Sequence, residues 1–178
     1  MNGQKKYERE YRIQKTEFPV SAIDYLKQNN FTTCKIKYYL ESDSTNQSYE
    51  AKFKYKDHRY SVEFNTNGIL EDIEVNVDLD WLDKSLQEQI ATRLDSLFKK
   101  HRILKVQVQY PNTEVENTTV IAKAAKTLDT SILHNYELLV AARKEDEGYS
   151  DYELLFDKKG NVLKIRKSVP PAYGYILY

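Results

Sequence analysis

The sequence contains few of the residues that build covalent or nucleotide-binding sites. Cys34 is its one cysteine, which excludes an internal disulfide, and the TTCKIKYYL pattern around it predicts a buried structural thiol. Five glycines in 178 residues argue against loops that cradle phosphates. No G-x-S-x-G, P-loop or G-x-G-x-x-G motif occurs. These absences predict no bound cofactor.

Charge of one sign is also lacking. Lys and Arg total 27, as do Asp and Glu, so the net charge is zero and nucleic acid is not an expected partner. No apolar run is long enough to span a membrane, and we therefore expect no membrane insertion. The start of the chain has no basic segment followed by an apolar one, so no signal peptide is visible. A chain whose leader has been removed would read the same way.

Residues that could converge on a catalytic or metal site are scattered. His58 is placed in a hairpin turn, His101 at a helix end and His134 after an inserted segment, with no HxH or HExxH pair. Acidic residues cluster at 71–74 and 145–147 without the spacing of an EF-hand, which is typical of solvated charge. The sequence therefore predicts neither a metal site nor an enzyme.

Tyrosine is abundant, and one tyrosine-containing phrase occurs twice. The chain has 15 Tyr, and both YSVEFNTNG from Tyr60 to Gly68 and YELLFDKKG from Tyr152 to Gly160 place Tyr, an aliphatic residue and Phe at alternate positions. Alternation puts these side chains on one face of a strand. The four residues that follow end in Gly, which suits a turn position with positive φ. Each phrase therefore predicts strand, tight turn, strand.

The segments around the two phrases predict a repeated module. A helix with apolar residues at helical spacing precedes each set of strands, beginning near Pro19 in the first copy and covering LDKSLQEQIATRLDSLF in the second. We predict an α+β fold of two tandem modules, each a helix packed on a four-stranded antiparallel sheet. The first module is expected at 1–78 and the second at 79–178, with an insertion at about 111–135.

Two further segments are less regular. The middle of the insertion, VIAKAAKTL, predicts a short helix, because a long structureless loop is unusual in a compact domain. The tail SVPPAYGYILY begins with a strand-ending proline pair, and its aromatic residues are expected to dock on the body of the protein or, as the alternative, to form an exposed adhesive end.

The order of these features resembles the PepSY-like proteins, which are related in fold to the secreted beta-lactamase inhibitor protein. The matching residues are Phe18-Pro19 at the first helix start, Tyr60 to Leu70 and Tyr152 to Val162, and the similarity extends from about Phe18 to Ser168. The resemblance implies a tandem helix-on-sheet fold, export to the periplasm or secretion, and an inhibitory or protein-binding role. The second helix lacks the Phe-Pro start, and no leader is visible.

The second module's outward sheet face contains apolar residues where the first module's is charged. We predict a partner-binding surface whose members are Tyr39, Leu139, Ala141, Arg143 and Leu155. The alternative is that the insertion after Pro111 folds over this face and covers it.

Two functions from different classes fit these observations. The first is a non-catalytic protein-binding or inhibitor-like protein whose partner is another protein. The second is a carrier or sensor that holds a small ligand between helix and sheet or between the modules. A homodimer through an open sheet edge is a further expectation, since antiparallel meanders leave edges unpaired.

Overall fold

The computed structural model describes residues 4–6, 9–32, 35–42, 46–113, 116–145 and 147–168, with residues 4–6 and 168 described as backbone. Cys34, Asp146 and the tail from Val169 lie outside the described residues, so the predictions made for them are not addressed by the structure. None of the helices in the described ranges has the length and apolar character needed to cross a membrane.

Strands are the commonest secondary structure in the described residues, which also contain three α-helices. The strands are β1 Gln4–Lys6, β2 Arg9–Ile13, β3 Lys37–Ser42, β4 Gln47–Tyr55, β5 His58–Asn65, β6 Leu70–Val77, β7 Lys100–Pro111, β8 Asn135–Arg143, β9 Ser150–Asp157 and β10 Val162–Ser168. The helices are α1 Val20–Gln28, α2 Lys84–Leu97 and α3 Thr118–Thr127. His101, predicted at a helix end, instead lies in β7 because α2 stops at Leu97.

All ten strands belong to one sheet, in the order β1-β10-β9-β8-β7-β6-β5-β4-β3-β2. Nine of them form a continuous antiparallel run, and β1 adds to β10 in parallel. The predicted pair of four-stranded modules is therefore wrong. The two halves join where Val75 faces Val108 and Val77 faces Val106 across β6 and β7. This pairing satisfies two rows of backbone groups that separate modules would leave as open edges.

The predicted boundary between residues 78 and 79 coincides with the start of the 3-10 helix Leu79–Trp81, which links β6 to α2. The sheet crosses this boundary without interruption. Whether 1–78 and 79–178 are separate domains stays a prediction.

The three helices pack on the same face of the sheet. Their buried residues are Ala22 and Leu26 of α1, Leu86, Ile90 and Leu94 of α2, and Ile121, Ala122, Ala124 and Ala125 of α3. They share one core with the inward residues of β4 to β9. The predicted helix in the insertion is thus confirmed, and it is tied to the core by the Tyr60 hydroxyl, which donates to the Ala125 carbonyl at 3.2 Å.

The repeated phrase forms two hairpins with matching hydrogen bonds. Asn65 Oδ1 accepts from the backbone N–H groups of Asn67 and Ile69, and Asp157 Oδ1 accepts in the same way from Lys159 and Asn161. Both turns end in a glycine with positive φ, +71° at Gly68 and +77° at Gly160. The preceding phenylalanines, Phe64 and Phe156, are fully buried. The recurrence in sequence therefore corresponds to a recurrence in local geometry.

The sheet curls until its first and last strands come close together. Only two residues separate Lys6 of β1 from Arg9 of β2, yet these strands are the opposite edges of the sheet. Three Cα–Cα steps span at most about 11 Å, whereas ten flat strands would extend over roughly 43 Å. Since a barrel of eleven strands holds one central helix, three helices must lie on the outside of the curl. The polar face is therefore concave.

Candidate functional site

The concave face is polar and enclosed. Its central residues include Gln107, 2% exposed, and Glu50 and Ser61, each 8% exposed. The helices described above lie on the other face, so these side chains are buried by the curvature of the sheet and by one another. The predicted alternative in which the insertion covers this surface is wrong, because α3 packs on the convex face against β6 and β7.

Three acidic residues lie directly opposite one another across the centre of this face. Glu50 of β4 faces Glu63 of β5, and Glu63 faces Asp72 of β6. Side chains in such positions have Cβ atoms about 5 Å apart, and like charges there repel. Burial, followed by the charges of Glu63 and Glu137, raises the pKa of Asp72 well above its usual range. Burial and the charge of Glu137 do the same to the pKa of Glu74 in the next row.

Lys52 organises the acidic residues at one end of this row. Its Nζ lies 2.6 Å from Glu10 Oε2, 2.7 Å from Glu50 Oε2 and 4.0 Å from Glu41 Oε1. Burial alone would lower the pKa of Lys52, but the Glu50 and Glu10 carboxylates outweigh it and raise the pKa. The oxygens of the three glutamates lie within 4.8 Å of one another, a spacing that could hold a metal ion. The ammonium group of Lys52 already supplies the positive charge.

Glu41 and Glu50 form a carboxyl pair within this cluster. Burial and a hydrogen bond with Glu50 raise the pKa of Glu41 to about 9. Burial alone would raise the pKa of Glu50 too, but hydrogen bonds with Glu41, Lys52 and Ser61 lower it overall. At neutral pH the two carboxyl groups therefore bind one proton between them, and Glu41 is the group that carries it.

Amide side chains from β7 and β8 extend the polar network across the centre. Gln107 Nε2 donates to Glu74 Oε2 at 2.8 Å, and Gln109 Nε2 donates to Asp72 Oδ2 at 2.9 Å. Asn135 Nδ2 then donates to Gln109 Oε1 at 3.1 Å. Within the described part of the chain, Gln107 Oε1 and Asp72 Oδ1 are buried acceptors without a donor. Arg143 Nε, on the same face, is a buried donor without a partner among the described residues, so the face has unmet hydrogen-bonding capacity of both kinds.

The predicted surface residues are spread over this face. Leu139, Ala141, Arg143 and Leu155 are half-buried on β8 and β9, where Leu139 faces Glu153 and Leu155 faces Glu137. Tyr39 lies on β3, five strands from β8, which is about 24 Å along the sheet. Lys52 Nζ lies 5.0 Å from the centre of its ring. The structure therefore brings the β8–β9 residues together and leaves Tyr39 apart from them.

A groove opens beside Tyr39, at the end of the face formed by β3 to β7. Its volume is about 600 Å³, and basic side chains from several strands surround it. Sequence reasoning treated these lysines as a solvated surface and missed the acidic row altogether. Alternation on each strand indicated which side chains share a face, but the pairing that sets like charges opposite one another depends on strand register.

The three histidines lie apart in the fold, His58 in β5, His101 in β7 and His134 just before β8. His58 Nδ1 is 2.9 Å from the Asn76 carbonyl oxygen, His101 Nε2 is 2.9 Å from Asp95 Oδ1, and His134 Nδ1 is 2.9 Å from the Ile132 carbonyl oxygen. Each ring therefore has a local partner of its own.

Comparison with known proteins identifies the fold. The sequence matches no protein-family model and no curated protein at a significant level. A DUF2874 family protein from Bacteroides ovatus ATCC 8483 matches with a TM-score of 0.54 at 15% identity, covering 84% of this chain and 87% of that one. At this identity the likeness establishes the fold alone, and the resemblance to PepSY-like proteins stays a prediction.

Two other solved structures align over 88% of this chain and 95% of their own, with lower scores. One is a candidate calcium-regulated periplasmic protein from Bacteroides thetaiotaomicron, with 22% identity and a TM-score of 0.34. The other is described as a candidate periplasmic protein of the DUF2874 family from Bacteroides vulgatus ATCC 8482, with 20% identity and a TM-score of 0.32. The fold shown by the Bacteroides ovatus protein is thus the one conclusion that these comparisons establish for this chain.

Proposed function

We propose that this chain is a non-catalytic binding protein that holds part of another protein against its concave face. The observation that carries this proposal is an enclosed polar surface with unmet hydrogen-bonding capacity, at Gln107 Oε1 and Asp72 Oδ1. Buried acceptors without donors cost stability, and a bound partner can supply the missing N–H groups. A bound segment that donates to these atoms would therefore stabilise the face relative to the unoccupied protein.

The size and composition of the face favour a protein partner. Strands β4 to β9 hold between eight and twelve residues each, so the surface is extended both along the strands and across them. Half-buried Leu139 and Leu155 contribute apolar area at one end, and basic side chains line the other. A mixed surface of this kind is typical of protein interfaces. The alternative, a small ligand held between helix and sheet or between the modules, stays a prediction; the helix-facing side of the sheet contributes a cluster of buried apolar residues.

Two further elements of the proposal rest on the sequence. A role without catalysis is what the sequence predicts, because it has no HxH or HExxH pair and no nucleophile motif. Export and inhibition of the bound protein are what the resemblance to PepSY-like proteins implies. The periplasm is also the location named for the two Bacteroides proteins with lower scores. Fractionation of the native cells, with an antibody against this chain, tests the location directly.

A matched pair of double variants tests the binding surface. We expect L139K/L155K to lose the partner, because each new lysine puts a charge on the apolar part of the concave face. Leu139 faces Lys105 and Glu153, and Leu155 faces Glu137 and Lys164, so each lysine meets one acidic and one basic neighbour and the fold should persist. The control L133K/L163K adds the same charges at two exposed leucines elsewhere.

The measurement is affinity capture from the native extract with each purified protein as bait, followed by quantitative mass spectrometry and calorimetry on the protein identified. The expected partner is retained by the wild type and by L133K/L163K and lost by L139K/L155K. If every captured protein binds a folded L139K/L155K as well as it binds the wild type, the concave face is not the binding surface.

A further inference from the structure

The groove beside Tyr39 has a strongly basic rim on a chain whose net charge is zero. Its rim cations are Lys35, Lys37, Lys54, Arg59 and Lys105. Across the described ranges, none of these five side chains forms an ion pair, whereas Lys52 beneath them is held by Glu10 and Glu50. Lys105 acts electrostatically on Glu74, which lines the same groove, so the rim cations without a described acidic partner are Lys35, Lys37, Lys54 and Arg59.

Strand register places some of these cations directly opposite one another. Lys37 of β3 faces Lys52 of β4, and Lys54 of β4 faces Arg59 of β5. Like charges in facing positions of an antiparallel pair destabilise the sheet. An anion between them would remove this repulsion, so the arrangement favours a negatively charged occupant.

The floor of the groove adds a second requirement. Gln107 is 2% exposed and uses its Nε2 to donate to Glu74, while its Oε1 has no donor among the described residues. Ser61, also in the floor, donates to Glu50. A hydrogen phosphate ion brings only one or two O–H donors, whereas a peptide brings several backbone N–H groups together with any acidic side chains. The rim and the floor together therefore fit an acidic peptide segment.

We propose that the basic groove receives a carboxylate-rich segment of the partner protein. Its acidic side chains pair with the rim cations, and a backbone N–H donates to Gln107 Oε1. This inference rests on the proposed function, since it specifies the chemistry of the segment that occupies one end of the concave face. It also assigns a role to the end of the face that contains Tyr39.

Binding of a labelled hexaglutamate peptide, measured by fluorescence anisotropy at low and physiological salt, tests the inference. Hexaglutamine is the uncharged control peptide.

Lys54 and Arg59 are exposed, and in K54E/R59E the two positions still carry like charges, so the fold should be unaffected. We expect K54E/R59E to bind hexaglutamate about tenfold or more weakly than the wild type, because two attractions become repulsions. The control K158E/K159E reverses two exposed lysines on the β9–β10 hairpin and should change affinity by less than about twofold.

Any one of four results would overturn the inference. The first is equal binding of hexaglutamate and hexaglutamine by the wild type, and the second is an equal loss of affinity in K54E/R59E and K158E/K159E. The third is displacement of hexaglutamate by a sulfated oligosaccharide at much lower concentration, which would assign the groove to a different polyanion. If K54E/R59E keeps full affinity for a partner that L139K/L155K loses, this inference fails while the proposed function stands.

Discussion

The two faces of the single sheet bury different kinds of side chain, apolar on the convex face and polar on the concave face. On the convex face, residues such as Val62, Ile73 and Leu138 are fully buried beneath the helices and need no polar partner. On the concave face, Glu63 and Asp72 lie in the same strands but face like charge. The convex face therefore stabilises the fold. The concave face reduces that stability, because its polar groups are buried without full pairing. A surface that is costly to maintain but shaped to enclose a ligand is typical of a binding site.

The largest effect should come from deleting a ring on the convex face. We expect Phe156→Ala to lower the free energy of unfolding by about 3–5 kcal/mol, because it removes a fully buried aromatic side chain and leaves a cavity. Denaturant unfolding followed by circular dichroism measures this. Leu155→Ala, one residue away on the concave face, should cost less than half as much, since Leu155 is half-buried. Equal losses in the two variants would contradict the division of roles between the faces.

The hairpin glycines should show the next largest effects. At Gly68 an added Cβ would lie 2.1 Å from Ser21 Oγ and 2.8 Å from Pro19 Cβ, whereas at Gly160 the nearest atoms are 3.1 Å away. Both positions also have positive φ. We expect Gly160→Ala to cost about 1–2 kcal/mol from backbone strain, and Gly68→Ala to cost more because Ser21 and Pro19 must also move.

Gly148 is the matched control for both substitutions. An added Cβ there meets nothing within 4 Å, and Gly148→Ala should leave thermal stability almost unchanged. If Gly68→Ala costs no more than Gly160→Ala, the first hairpin does not abut the start of α1 as closely as described.

The sequence predicted the elements of the convex face better than their assembly. Alternating apolar residues in YSVEF and YELLF identified the buried side of β5 and β9, and the periodicity of VIAKAAKTL identified α3, because both signals are local. The pairing of β6 with β7 was not predicted. The repeated phrase favoured two closed modules, and the sequence of a strand does not specify which other strand it pairs with. The pairing of β1 with β10 joins opposite ends of the chain and has no local signal at all.

The concave site was predicted only in part, for a related reason. Leu139 and Leu155 stood out as apolar residues in polar positions, and the structure places them half-buried on this face. The acidic row depends on Glu50, Glu63 and Asp72 meeting in register, which three separate strands determine jointly. The enclosure that raises the pKa of Asp72 depends on the curl of the whole sheet. From residue type alone, such acidic residues are interpreted as solvated surface charge.

The pH dependence of stability sharpens the comparison between the faces. Burial and the hydrogen bond with Glu50 raise the pKa of Glu41 to about 9, so the folded protein retains a proton that the unfolded chain releases above about pH 4.3. Stability from this group is fully present below the unfolded pKa and falls as the pH rises toward 9. The slope is at most about 1.4 kcal/mol per pH unit for one proton. Chemical denaturation between pH 5 and 9 should therefore show a smaller decline for Glu41→Gln than for the wild type.

A variant on the convex side provides the control for this measurement. Gln89→Glu introduces a carboxyl on the outer surface of α2, where the side chain is exposed, and should leave the pH slope close to that of the wild type. Identical slopes in wild type and Glu41→Gln would mean that Glu41 and Glu50 do not share a proton.

The smallest effect is expected at the centre of the acidic row. Burial and the charges of Glu63 and Glu137 raise the pKa of Asp72, so ionised Asp72 opposes folding above its usual pKa. Asp72→Asn removes this charge and keeps an oxygen that can accept from Gln109, the donor 2.9 Å from Asp72 Oδ2. We expect the variant to be more stable than the wild type at pH 8, and by less at pH 5, because a raised pKa lets the wild-type carboxyl take up a proton as the pH falls. Asp80→Asn, at an exposed position outside the sheet, should show no such difference between the two pH values. A loss of stability in Asp72→Asn at both pH values would mean that the acidic row is compensated by contacts within the fold, and the case for an unfilled concave face would be weakened accordingly.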